Sequence, residues 1–375
     1  MTPDLVASLR LVRTEGIGPV GYRTLLRRYG SAAAAIEALP DAARAGGRDR
    51  APAVPGRAAA EDEIAALERL GGRFLVLGHP DYPPLLAQLA DAPAMIAVLG
   101  DAAILHRRSV AIVGARNASS AGLRIAEALA ADLGGAGLVT VSGLARGIDG
   151  AAHQGALHVG PTVAAIAGGL DRPYPLEHAA LQERIAAKGC VVAEAPLGTS
   201  PQARHFPRRN RIVVGLALGC VVVEAAPKSG SLISAGLAQD YGRELFAVPG
   251  SPLDPRCRGS NDLLRRREAW LVENAEDVLR ELPLLPAGLG PSGFAEPGSG
   301  WGSDAQEPWD QLGAVREAVL ALLSHTPTPV DDLLRRCQFS VAAVLAVLTE
   351  LELAGRVESH PGNRVGLLSE RFRPD

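Results

Sequence analysis

The chain has 375 residues, 47% of them hydrophobic and 21% charged, with a formal net charge of −3. That composition is ordinary for a folded soluble protein, with room for a full core and one or two small domains. No apolar run is long enough to cross a bilayer as a helix. The N-terminus "MTPDLVASLR" lacks the layout of a signal peptide, so a cytoplasmic protein is expected.

Residues 1–70 are rich in Ala and Arg and helical in pattern, broken by the Gly, Pro and charge-rich loop "ARAGGRDRAPAVPG". Between two helical stretches stands "GIGP" (Gly16 to Pro19). Such a hairpin can offer backbone N–H groups to a DNA phosphate, or simply pack. Acidic and basic residues are nearly balanced here.

Residues 71–283 alternate helical patterns with apolar runs at 73–78, 109–114, 138–143, 162–167, 190–195, 220–225 and 244–250. The runs are continuously apolar, as strands buried on both faces are. We therefore expect an α/β domain with an extended Rossmann-type, doubly wound sheet, whose ligands bind at the carboxyl ends of the strands. Residues 284–310 have the Pro, Gly and Ser content of a linker. Residues 311–375 read as three helices (314–323, 330–336, 340–353) and a Gly-containing hairpin (355–368), the order of a winged helix.

The strand ends carry a recurrent chemistry. After 109–114, "GARNASSAG" supplies Gly114 for a tight turn, Arg116, and Ser119 or Ser120 as a helix cap. After 138–143 come Ser142, Gly143, Arg146 and Gly147. Asp149 and His153 then share a helical face, either as an acid/base pair or as a structural one. After 162–167 come Gly168, Gly169, Asp171, Arg172 and Tyr174, a possible wall or a plain turn. The next segment, "RHFPRRNR", packs Arg204, Phe206, Arg208, Arg209, Asn210 and Arg211 into eight residues without an acid. Last comes Lys228 with Ser229 and Gly230 in "PKSGSLISAG". One such turn is equally a solvated loop. Five in succession suit several phosphates along a strand, with Phe206 as a face for a base. Only two of the 38 cationic residues are lysines, Lys188 and Lys228, and the arginine fork suits phosphate.

Several motifs are missing. No G-x-G-x-x-G follows a strand, and there is no G-K-[ST] or G-x-S-x-G. The cysteines, Cys190, Cys220, Cys257 and Cys337, lack zinc spacing and read as reduced core thiols. No cofactor, metal or catalytic residue is expected.

The segments "VAIVGAR", "VSGLARGIDGAAHQGAL", "GLDRPYP", "FPRRNRIVVGL", "VVVEAAPKSGSLISA" and "GRELFAVPG", in this order, resemble the DNA processing protein A family (DprA, also called Smf). The resemblance implies a non-enzymatic homodimer that binds single-stranded DNA and hands it to the RecA recombinase in natural transformation. It places the DNA pocket on Arg116, the "SGLARG" loop, Phe206 with "RRNR", and Lys228. Arg204 stands near where family members often carry lysine. It also likens residues 1–70 to a sterile-alpha-motif or helix-hairpin-helix unit. A rival reading is a Rossmann-type nucleotide hydrolase, although "PKSGSLIS" departs from the P-G-G-x-G-T loop of such enzymes. The tail has seven basic and nine acidic residues from 310 to 375. Its presumed recognition helix "SVAAVLAVLTELEL" has no Lys or Arg, so the tail is expected to contact protein rather than to read duplex DNA, which needs phosphate neutralisation. Asn363 and Arg364 in the wing leave weak DNA contact open.

Overall fold

The computed structural model describes residues 5–47, 52–283 and 312–368. The expected linker at 284–310 lies outside the described residues. Four helices come first: α1 (Leu5–Val12), α2 (Pro19–Tyr29), α3 (Ala32–Ala45) and α4 (Arg57–Arg69). Pro19 opens α2 where its missing N–H costs nothing, and Gly30 ends it in the left-handed region at φ 79°. The Ser31 hydroxyl then caps α3 by accepting from Ala34 N.

The middle of the chain gives β1 (Gly72–Val76), α5 (Pro84–Ala87), β2 (Met95–Gly100), β3 (Ser109–Val113), α6 (Ser120–Gly135), β4 (Val139–Ser142), α7 (Ile148–Val159) and β5 (Thr162–Ile166). It continues with α8 (Ala179–Lys188), β6 (Cys190–Ala193), α9 (His205–Gly215), β7 (Gly219–Val222), α10 (Gly230–Asp240), β8 (Glu244–Ala247), α11 (Arg258–Arg265), β9 (Trp270–Leu271) and α12 (Ala275–Glu281). These strands form one sheet of order β1-β2-β6-β5-β4-β3-β7-β8-β9. From β6 to β9 all neighbours are parallel, while β2 and β1 extend the sheet antiparallel. The strand order reverses between β3 and β7. All seven expected strands are present. The sequence reading missed β2, whose run "MIAVLG" follows a proline-rich stretch, and the two-residue β9.

Both faces of the central strands are covered, which is why β3 to β7 are mostly apolar. Val110 and Ile112 of β3 pack with Leu129 and Leu133 of α6 and with Ile148 of α7. Ala111 and Val113 face the other way, in the same cluster as Ile212 of α9 and Leu237 of α10. Each fully buried aliphatic side chain contributes about 1.5–3 kcal/mol. Cys190 and Cys220 are buried free thiols in β6 and β7, and burial pushes each up to about 12.

The tail forms α13 (Leu312–Leu322), β10 (Thr328–Pro329), α14 (Val330–Cys337), α15 (Val341–Leu353), β11 (Val357–His360) and β12 (Arg364–Leu367). Its sheet has the order β10-β12-β11, the winged-helix arrangement. The presumed recognition helix α15 packs against α2 and α3. Its Glu350 is buried and accepts from Arg28 at 3.3 Å and Arg316 at 2.7 Å. Among the described residues no helix is long and apolar enough to cross a membrane.

His153 on α7 is fully buried, and its Nδ1 lies 2.9 Å from the Thr162 hydroxyl. That hydroxyl donates to the Thr140 carbonyl, so its oxygen accepts and the Nδ1 carries the proton. Burial lowers this imidazole from 6.5 to about 3. An unfolded chain takes up the proton first, so the stability His153 contributes is intact above about pH 6.5 and is lost as the pH falls toward 3. Urea titrations should show a loss of about 2 kcal/mol between pH 8 and pH 5. His153→Gln should remove that share of the pH dependence.

Candidate functional site

Because β3, β4, β5, β6 and β7 run parallel side by side, the turns after them lie along one edge of the sheet. Arg116, Arg146, Arg172, Arg204, Arg208 and Lys228 are all exposed there. The Arg116 guanidinium lies over the Phe206 ring, 4.6 Å from its centroid. Tyr174, about half exposed, meets Phe206 at 5.8 Å with the rings tilted by 58°. A cation and two aromatic faces thus stand together at the ends of β3 and β5 and the start of α9.

The sequence-expected residues divide. Arg204 and Arg208 lie on the outer side of α9. Arg146 is solvated and pairs with Glu177 at 2.7 Å. Lys228 holds a left-handed turn at φ 64° in front of Ser229 and Gly230. Asn210 donates to the Gly230 carbonyl and ties α9 to that turn. Gly114 and Gly143 do not form the tight turns expected of them: the turns fall at 116–117 and 146–147, and the two glycines instead make room for Ile148 and Arg209, while Ser142 is fully buried and donates to the Ile112 carbonyl.

Arg209 and Arg211 do not join the exposed cations. Arg209 is 6% exposed and Arg211 is 5% exposed. Arg209 lies over Gly143, where a Cβ would fall 1.3 Å from its Nη1, so only glycine leaves room for it. It donates to the Ala165 carbonyl at 3.2 Å and faces Asp149 at 3.8 Å. Burial pushes the Asp149 carboxyl up and the Arg209 guanidinium down, and each partner's charge offsets the other's shift. Arg211 donates to Glu194 and to the Asp91 carbonyl. Both arginines are spent inside the protein because a guanidinium this deep needs a partner. The structural reading of Asp149 and His153 also holds: Asp149 engages Arg209 and His153 engages Thr162.

The sequence reading missed Glu224, at the end of the run 220–225. Its carboxylate accepts from the Ser119 amide at 2.9 Å and from the Ser119 hydroxyl. The N-terminus of α6, readable from the sequence as a phosphate cradle or as a plain turn, therefore already holds an anion of the chain itself. Glu194 was missed in the same way. Each is the lone acid closing an apolar run, "CVVAEA" and "CVVVEA", a signal readable beforehand. Among the described residues no group of His, Cys, Asp and Glu could hold a metal ion.

Three family models match the chain: DprA-like N-terminal HHH domain over 3–66, DNA recombination-mediator protein A over 73–283 and DprA winged helix domain over 303–363. The chain is 37% identical over 316 residues to Protein Smf of Escherichia coli (strain K12), covering 83% of this chain and 82% of that protein. It is 40% identical over 222 residues to the DNA processing protein DprA of Bacillus subtilis (strain 168), covering 59% and 74%. The X-ray structure of DNA processing protein A from Streptococcus pneumoniae aligns with a TM-score of 0.63 at 30% identity, over 74% of this chain and 97% of that one. A structure of the Helicobacter pylori protein, concerned with its single-stranded DNA binding mode, aligns with a TM-score of 0.50 at 32% identity, over 55% and 94%.

The two kinds of arginine should separate in denaturant. Asp149→Ala strands the Arg209 charge and should cost about 3–5 kcal/mol of unfolding free energy. Arg116→Ala, which loses one exposed ring contact, should cost less than about 1 kcal/mol.

Proposed function

Since the chain belongs to the DNA recombination-mediator protein A (DprA/Smf) family, we propose that it binds single-stranded DNA along the carboxyl edge of its sheet and delivers it to the RecA recombinase. In this reading it works as a homodimer in the cytoplasm, in natural transformation and recombination, and makes or breaks no covalent bond. The observation that carries the reading is the cluster of exposed Arg116 and Tyr174 around a half-buried Phe206 at the carboxyl edge of the sheet. A flexible strand can stack bases on the rings while its phosphates meet Arg116, Arg204, Arg208 and Lys228. The turn at Ser229 and Gly230, where nothing lies within 4 Å of a Cβ built on Gly230, lets the backbone come close, whereas Gly114 and Gly143 are covered by Ile148 and Arg209. Arg209, Arg211 and Ser142 act from beneath, by holding α9 and β4 in place.

The hydrolase alternative is disfavoured by Glu224. In a doubly wound sheet a mononucleotide phosphate binds where the strand order reverses, at the start of the following helix. Here that place, between β3 and β7, holds a carboxylate.

Oligonucleotide titrations across salt concentrations test the reading. Single strands should bind more tightly than duplex, with an affinity that falls as salt rises. Arg116→Ala should lower the log–log slope by about 0.7, and Phe206→Ala should cost about 1–3 kcal/mol with any base sequence. Wild-type affinity in both folded variants would refute the site.

A further inference from the structure

The winged-helix unit sits over one end of this edge. Its wing and the end of α15 roof a cavity of about 650 Å³. The floor comprises the ends of β5 and β6, the start of α9 with Arg204 and Arg208, and the Gly16–Gly18 hairpin. The roof is acidic where the floor is basic. Glu358 of β11 faces Arg208 at 3.9 Å. Glu352 of α15 lies against the hairpin, so close that a Cβ at Gly18 would meet its Oε1 at 2.8 Å. No side chain caps α2 at Gly18, so this carboxylate stands beside the open, positive end of that helix. Burial pushes Glu352 up to about 7, against hydrogen bonds from Ser359 and the charge of Arg208. The wing is held further by Arg364 to Asp240 of α10 at 3.2 Å and by the Gly362 amide to Asp91 at 3.0 Å.

We propose that this is a closed form, in which Glu352 and Glu358 occupy the places of two DNA phosphates, at the hairpin and at Arg208, and the winged-helix unit must lift for a strand to run the length of the edge. The proposal rests on the single-strand reading above and adds a built-in competitor to it. The contacts suit reversal. The ion pairs of the wing are partly exposed, and such pairs add little to stability. An incoming polyanion meets the same cations without the two carboxylates. The firmer anchor is α15 on α2 and α3, where Leu353 is fully buried.

Two variants open the lid without touching the cations of the sheet edge. Gly46, at the end of α3, has φ −72°, which any residue tolerates. A Cβ there would fall 2.0 Å from the Glu350 carbonyl and 3.1 Å from the Ala354 Cβ, both belonging to the lid, so Gly46→Val should push α15 away. Arg364→Glu sets a like charge against Asp240. It also makes the protein more negative, so any gain in affinity must come from opening.

Hydrogen exchange at α15 and at the hairpin reports opening without DNA, and the anisotropy of a labelled oligothymidylate reports binding. Both variants should exchange faster and bind on the order of tenfold more tightly, if about nine molecules in ten are closed in the wild type. The charge swap Asp240→Arg with Arg364→Glu should restore wild-type exchange and affinity. Adding oligothymidylate to the wild type should speed exchange of α15. The lid is refuted if opened variants bind no more tightly than the wild type, or if the wild type binds with exchange at α15 unchanged; either result leaves the single-strand reading standing. If neither wild type nor opened variants bind, that reading falls and the lid with it.

Discussion

Two buried guanidiniums hold the candidate site together. Arg209 reaches over Gly143 to Asp149 and the Ala165 carbonyl, and Arg211 reaches Glu194 and the Asp91 carbonyl. Between them they fasten α9 to the ends of β4, β5 and β6. The same helix then has no choice about its other residues. With Arg209 and Arg211 turned inward, Phe206 and Arg208 are directed to the edge, where Phe206 meets Arg116 and Tyr174. Charges so placed contribute little net stability, because desolvation consumes most of the attraction, but losing one partner is costly. Their effect is on geometry: α9 has one seat on the sheet.

Much of the fold is legible because burial leaves a plain mark on strands. A strand covered on both faces is nearly all apolar, its few Ser and Thr bonded to neighbouring carbonyls, and seven such runs announce the sheet. The edge of the sheet follows, since parallel neighbours must turn at the same end. The arginines of 204–211 were harder. Arg208 and Arg209 both lie within a helical turn or so of Ile212 and Val213, and the run 211–216 is buried on every side. Helical spacing therefore cannot say which of them faces the core. The acids mark the answer, because a carboxylate set among apolar residues needs a donor nearby: Asp149 takes Arg209 and Glu194 takes Arg211. Glu224, closing the run 220–225, takes the start of α6 instead.

The tail repeats the lesson with the sign reversed. A winged helix whose α15 has no Lys or Arg is poorly made for phosphates, and α15 instead packs on α2 and α3. Its Glu350 is neutralised by one arginine of its own unit, Arg316, and one from α2, Arg28. What the sequence could not convey is the placement of the wing, which depends on scattered single contacts: Asp91 to Gly362, Asp240 to Arg364 and Arg208 to Glu358. No local pattern encodes such pairs, since the partners are more than 100 residues apart.

Glu224 has a consequence for competition inside a crowded cell. Free nucleotides vastly outnumber the ends and gaps of nucleic-acid chains, and a doubly wound sheet with an open helix start would be saturated by them. Here the seat for a lone phosphate is filled from within by the chain's own carboxylate. On the proposed single-strand reading, what remains is an edge of exposed cations and rings, on which a small metabolite makes one contact at a time while a polymer makes many at once. A plugged mononucleotide seat thus selects for length.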